Sequence, residues 1–418
     1  MDQTTALNLI CQVVGRSISE EQARAVLKPL SQEDWEVILQ VAARQGLTLL
    51  LYEVMTPFTK EEIIPLPVHT YLRKTYMEAV ARNMRMLHHA KIILHSLKAK
   101  DVAVIPLKGL FLVENIYSSI GSRTFGDLDL LVKKSDLRSA LAVMQELGYH
   151  LDTYYDPAQP NLDIKHFPPM IKQDGPYVEV HWSILEENEP FTIDMEGMWQ
   201  RARPAVVVGE DVLAQDIEDL LLHLCIHFTY QHRLRAGLKF LVDIIRVAHK
   251  YDEQVNWQKL AATAREWGAE RVVWLTFSML EKIFGYQLTE GVLSSLLPIN
   301  EDEEILSEAL RQVLFTPDGS ASLTPDLAAL AVEKNIVARV KRIFSRIFIP
   351  RNVMARVYNV PPASWRIFVY YPVRAYDLFR LYAGSAWKFL VKKENFISLE
   401  MEQANGRLRE WMTRDRNS

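Results

Sequence analysis

Apolar residues recur at three-to-four spacing through most of the chain and change to a shorter, alternating rhythm between about residues 102 and 186. In LSQEDWEVILQVAARQGL, Trp35, Ile38, Leu39 and Ala42 share one helical face. Ser31 stands three residues before Asp34 in the capping-box position, and Gly46 is placed to stop the helix. The Pro-containing IIPLPVHT leads into an amphipathic pattern from about Tyr71 to Leu97 that is free of Gly and Pro. The texture changes at Val102. VAVIPL reads as a strand, GLFLVENIY as a helix, SSIGSR as a turn and FGDLDLLV as a second strand. Ser135 is placed to cap a helix running through Leu147, and Gly148 stands where a helix end favours positive φ. YHLDTYY reads as a further strand, and Asp174 with Gly175 suits a hairpin turn leading into YVEVHW. VVVGEDVLA carries a short hairpin pattern, and IEDLLLHLCIHFTYQ, LKFLVDIIRVAHKY and WQKLAATAREWG return to helical spacing. The pattern predicts an α+β fold: a helical region over 1–100, a core with a small mixed β-sheet over 101–215, a helical region over 216–330 and a basic, aromatic helical segment over 331–418.

Composition narrows the class. With 49% hydrophobic and 24% charged residues the chain is expected to fold, and a net charge of -4 argues against a surface devoted to nucleic acid. Cys11 and Cys225 alone suit neither a disulfide scaffold nor a cysteine metal cage. MDQTTALNLICQVVG lacks the flank and core of a signal peptide, and no apolar run is long enough to span a bilayer, so a cytoplasmic protein is expected. The last segment is locally basic, with Arg339, Lys341, Arg342, Arg346, Arg351, Arg356, Arg366, Arg374 and Arg380 against little acid beyond Asp377. Interleaved aromatics there suit peripheral contact with a membrane or nucleic acid, or a helical element laid on the rest of the protein.

The strand FGDLDLLV spends two charges inside an apolar pattern. A strand repeats every two residues, so Asp127 and Asp129 share a face, with Cα atoms about 6.5 to 7 Å apart. Like charges beside a core repel and are costly to desolvate, which calls for a cation; a hard ion with oxygen ligands, Mg²⁺ above all and Mn²⁺ as a substitute, fits. In YVEVHW, Glu179 and His181 share the face opposite Val178 and Val180. If that strand lies beside FGDLDLLV, three carboxylates meet, as in phosphoryl and nucleotidyl transfer by two metals roughly 4 Å apart. Such chemistry also needs a turn before a helix to hold phosphates, which Lys108 and Gly109 supply.

The order LKG, a helix, a turn carrying Arg123, GDLDLLV, a helix ending in GY and then VEVHW resembles the uncharacterised nucleotidyltransferase family within the DNA polymerase β-like superfamily. The resemblance implies that Gly109 takes the phosphate turn, that Asp127 and Asp129 hold metal, and that Glu179 is the third carboxylate. It also implies a nucleoside triphosphate substrate such as ATP, two Mg²⁺ ions and a nucleotide-binding set of Lys108, Gly109, Arg123, Gly126 and Lys239. Leu110 departs from the Gly or Ser usual after the first glycine, which shifts phosphate binding toward Lys108 or Arg123. HLCIH and LKFLVDI look like the family's downstream helical motifs. The acceptor is left open, with a small molecule, peptide or protein ahead of nucleic acid.

His223 and His227 stand i, i+4, the spacing of a zinc pair, but without the glutamate of H-E-x-x-H they read as structural or as cleft residues, together with His181. Lys239 and Asp243 share a helical face and read either as a surface salt bridge or as part of the cleft, with Lys239 reaching the triphosphate. Two other readings stand beside the transferase: a D-x-D glycosyltransferase using a nucleotide sugar, and a degenerate member of the same fold acting as a binding module.

Overall fold

The computed structural model describes residues 1–15, 17–61, 63–152, 164–288, 292, 296, 303–314, 336–358, 360–361, 363–391 and 395–414. It divides into two units, one of residues 1–150, 162–314 and 412–418, the other of residues 151–161 and 315–411.

In the first unit, alternation and turn chemistry produce a small mixed sheet among helices, the α+β class expected from the pattern. Strands β1 (Val104–Pro106), β2 (Asp127–Val132), β3 (His150–Leu151), β4 (Met170–Ile171) and β5 (Tyr177–His181) lie in the order β1-β2-β5-β4-β3. β2 runs antiparallel to β1 and parallel to β5, and β4 and β5 form the hairpin expected at Asp174 and Gly175. Asp174 takes the left-handed φ of 58° that this turn needs. Paired on both edges, β2 is an interior strand, second in the sheet, and Leu128, Leu130, Leu131 and Val132 are wholly buried. β6 (Arg203–Val207) and β7 (Glu210–Ala214) form the expected second hairpin, turning through Val208 and Gly209 at positive φ.

Helices form where caps and apolar faces agree. Ser31 and Asp34 close a reciprocal capping box on Gln32–Arg44, and Gly46 follows at φ 70°. The long helix begins at Leu66, five residues before the expected Tyr71, because Pro67 fits a helix's first turn. Ser135 does not cap. A 3₁₀ turn, Lys134–Asp136, precedes the helix Leu137–Glu146, and the Ser135 hydroxyl donates to Asp136 instead. Of YHLDTYY, only His150 and Leu151 form strand; residues 153–155 lie outside the described residues.

The helices also clamp the loop that feeds β2. Asn83, fully buried on the long helix, donates to the carbonyls of Ile120 and Arg123. From the helix Lys239–Lys250, Asp243 accepts from Tyr117 Oη at 2.7 Å and from Arg123 Nε and Nη2 at 2.7 and 2.8 Å. Gly121 allows the loop to lie flat on the long helix, because a Cβ there would stand 2.5 Å from Tyr76 Cζ.

In the second unit, helices Ile336–Ile347, Arg351–Val357 and Ile367–Val391 gather around a small core of Met354, Ala355 and Ile367. Phe344, Phe348, Trp365, Phe368, Tyr376 and Phe379 are exposed, with Lys341, Arg346, Arg351, Arg366 and Arg380 exposed among them. The side chains of Arg339, Arg342 and Arg356 lie outside the described residues. No helix among the described residues is long and apolar enough to cross a membrane.

Candidate active site

The two aspartates of β2 share a face but not an environment. Asp127 opens the strand and is exposed, whereas Asp129 is 5% exposed. The parallel register sets Glu179 directly beside Asp129, and His181 follows two residues on, along the same face of β5. His181 Nε2 lies 3.1 Å from Asp129 Oδ1 and 3.3 Å from Glu179 Oε2. Lys108 Nζ lies 3.0 Å from the other oxygen, Asp129 Oδ2. His166 flanks the group, with its ring 4.8 Å from that of His181 and its Nε2 3.6 Å from Glu179 Oε2.

The charges answer to these contacts. Burial raises the Asp129 carboxyl, but the Lys108 ammonium and the hydrogen bond from His181 outweigh it and hold the group well below the usual carboxylate range. Burial opposes ionisation of Glu179 as well, and His181 and His166 bring it below its ordinary value. Asp127 moves the other way, raised by desolvation and then by repulsion from Asp129. Lys165 is lowered by burial and then by Lys108, and it feels the charges of Asp129 and Glu179.

The turn into the helix Lys108–Asn115 is built differently from what its glycine implies. Lys108, not Gly109, takes the left-handed conformation, at φ 43°. Gly109 is needed for close approach, since a Cβ would stand 2.5 Å from Phe125 Cβ. The first turn of this helix has no side-chain cap, which leaves its backbone N–H groups for an anion.

The other expected residues fall into two groups. Arg123 is 7% exposed in a two-toothed ion pair with Asp243, which is fully buried, so this pair braces the loop. Lys239 makes no ion pair with Asp243 among the described residues; its Nζ lies 5.0 Å from the Phe240 ring centroid. A Cβ on Gly126 would be accommodated, in ordinary contact with Arg82 Nη2 at 3.8 Å. His223 and His227 do not converge as a metal pair. Gln215 Oε1 holds His223 Nδ1 at 3.1 Å, and Gln231 Oε1 holds His227 Nδ1 at 2.9 Å. Burial first, and then Lys108, pushes both rings well below the usual imidazole range. The π-helical turn Ile226–Gln231 brings residues five apart into line, so His227 Nε2 meets His232 Nε2 at 3.0 Å.

Asp129, Glu179 and His181 are the one group among the described residues whose metal-ligating atoms all lie within 4.8 Å of one another. Two carboxylates, an imidazole and a third acid at the strand entrance are a donor set that fits a divalent cation. Lys165 and His166 were not legible as neighbours of this cluster. Lys165 and His166 sit in IKHFPPM, outside any periodic element, and reach the site because the Lys165 carbonyl accepts from the Trp182 N–H at 2.9 Å at the end of β5.

The family model described as "Uncharacterised nucleotidyltransferase" matches residues 31–285, more than half of the chain. No curated protein matches the chain. Among solved structures, the solution structure of the antibiotic-resistance factor ANT(2'')-Ia aligns at 13% identity with a TM-score of 0.32, covering 44% of this chain and 92% of that one.

Proposed function

The chain belongs to the uncharacterised nucleotidyltransferase family, and from that premise we propose that it moves a nucleoside monophosphate from a nucleoside triphosphate to a hydroxyl of a small molecule, peptide or protein. The observation that carries this reading is the parallel register of β2 and β5, which sets Asp129 against Glu179 with Lys108 at hand. A divalent cation held by Asp129 and Glu179, with Asp127 at its edge, would supply positive charge to the phosphate oxygens.

The chain's own residues account for the rest. Lys108 and the uncapped first turn of its helix bind and neutralise the triphosphate. Arg82, Lys165 and Lys239 add positive charge around it. Glu179, ionised because His181 and His166 favour its charged form, accepts the acceptor's hydroxyl proton. The acceptor oxygen bonds to the α-phosphorus, the bond to the β-phosphate oxygen breaks, and pyrophosphate leaves with that electron pair. Arg123 and Asp243 keep the loop in place so that the reacting groups stay aligned.

The test is binding of a non-hydrolysable triphosphate in the presence of Mg²⁺, read by calorimetry, with a nucleotide sugar as control. Asp129→Asn and Glu179→Gln are expected to weaken binding at least about a hundredfold, in line with losing a preorganised charge partner. Unchanged affinity in Asp129→Asn, or tighter binding of the nucleotide sugar, overturns the proposal.

A further inference from the structure

The imidazole of His181 is superfluous to a three-carboxylate metal site, yet it is 1% exposed and aimed into the acids. Its Nε2 approaches two carboxylate oxygens, Asp129 Oδ1 at 3.1 Å and Glu179 Oε2 at 3.3 Å. Metal bonds of about 2.1 Å meeting at octahedral or tetrahedral angles place neighbouring donors about 3.0 to 3.4 Å apart. Both separations from Nε2 fall in that interval, and the ligating atoms of the three residues all lie within 4.8 Å of one another. The opposite nitrogen, Nδ1, is buried and has no hydrogen-bond partner among the described residues.

We propose that His181 Nε2 is a direct ligand of the site's cation together with Asp129 and Glu179, and that the site takes a first-row transition ion, Mn²⁺ to Zn²⁺ in kind, in preference to Mg²⁺. This rests on the nucleotidyltransferase reading and specifies its metal. Mg²⁺ is hard, keeps its waters and prefers oxygen, whereas an imidazole nitrogen favours the borderline ions. Lys108 Nζ occupies the other oxygen of Asp129, which leaves Oδ1 as the one facing His181.

The experiment uses the full chain and Mn²⁺ as probe. Pulsed electron paramagnetic resonance of the Mn²⁺-loaded wild type is expected to show the coupling of a directly bound ¹⁴N, changing to the ¹⁵N pattern when histidine is ¹⁵N-labelled. That comparison needs no substitution and stands even if a variant folds poorly. The coupling should vanish in His181→Gln and persist in His166→Gln. The ratio of Mn²⁺ to Mg²⁺ affinity should fall at least about tenfold in His181→Gln, since even outer partners of a ligand are worth that much. Mn²⁺ that binds in an Asp129-dependent way without nitrogen coupling, or with coupling that survives His181→Gln, overturns the ligand assignment and leaves the nucleotidyltransferase reading standing. Mn²⁺ held equally by wild type and Asp129→Asn overturns that reading itself.

Discussion

Lys108 combines a left-handed backbone with an ammonium set against a buried carboxylate. Its φ is 43°, and its Nζ lies 3.0 Å from Asp129 Oδ2. Removing one member of a buried ion pair leaves its partner uncompensated, at a cost of about 3 to 5 kcal/mol. Lys108→Met is therefore expected to melt well below wild type when metal is absent. Added Mn²⁺ should raise its Tm by more than it raises the wild type's, because the cation takes over the neutralising role. Equal shifts in both proteins, seen by differential scanning calorimetry, would contradict this. At this scale the sequence was a good guide wherever counting by two sufficed: Asp129, Glu179 and His181 lie on the faces their strand positions imply. It was a poor guide to pairing across the fold. Arg123 finds Asp243 across a separation of 120 residues, and no local pattern distinguishes that from a phosphate contact or from a Lys239–Asp243 surface pair.

Among elements, the position of β2 depends on how closely a loop and two helices approach one another. Gly109→Ala and Gly121→Ala each introduce a Cβ 2.5 Å from an existing carbon, on Phe125 and Tyr76 respectively. Overpacking of this kind costs about 1 to 3 kcal/mol, so both variants should show lowered denaturant midpoints with unchanged m-values. Asp243→Ala should cost more, about 3 to 5 kcal/mol, because it strands the Arg123 guanidinium and deprives the Tyr117 hydroxyl of its acceptor. A loss below 1 kcal/mol would mean that the pair does not brace the loop. The elements themselves were largely legible. The capping box at Ser31, the hairpin at Asp174 and the strand DLDLLV are set by local chemistry. Ser135 misled because a serine before a helix pattern looks the same whether it caps an α-turn or sits inside a 3₁₀ turn. The π-turn at Ile226–Gln231 was invisible, since one extra residue barely disturbs an already apolar run.

For the whole molecule, the neutral histidines set a lower pH limit. His223 and His227 are pushed down by burial in the fold, while an unfolded chain titrates them near 6.5. Below about that pH the unfolded state binds more protons than the native state, so their contribution to stability is complete above pH 6.5 and is lost as pH falls below it. The Tm should decline between about pH 6.5 and 5, and less steeply in His223→Gln; a flat profile there would refute the neutral assignment. The parallel pairing of β2 with β5 has a kinetic corollary. Asp129 and His181 are 52 residues apart, so their meeting requires a long chain closure whose entropy is lost before any contact is gained. Long-range parallel pairings form late and slowly. A cation at Asp129 and His181 then acts on the return path, holding the native pairing shut: loading should slow unfolding and leave the refolding rate nearly unchanged.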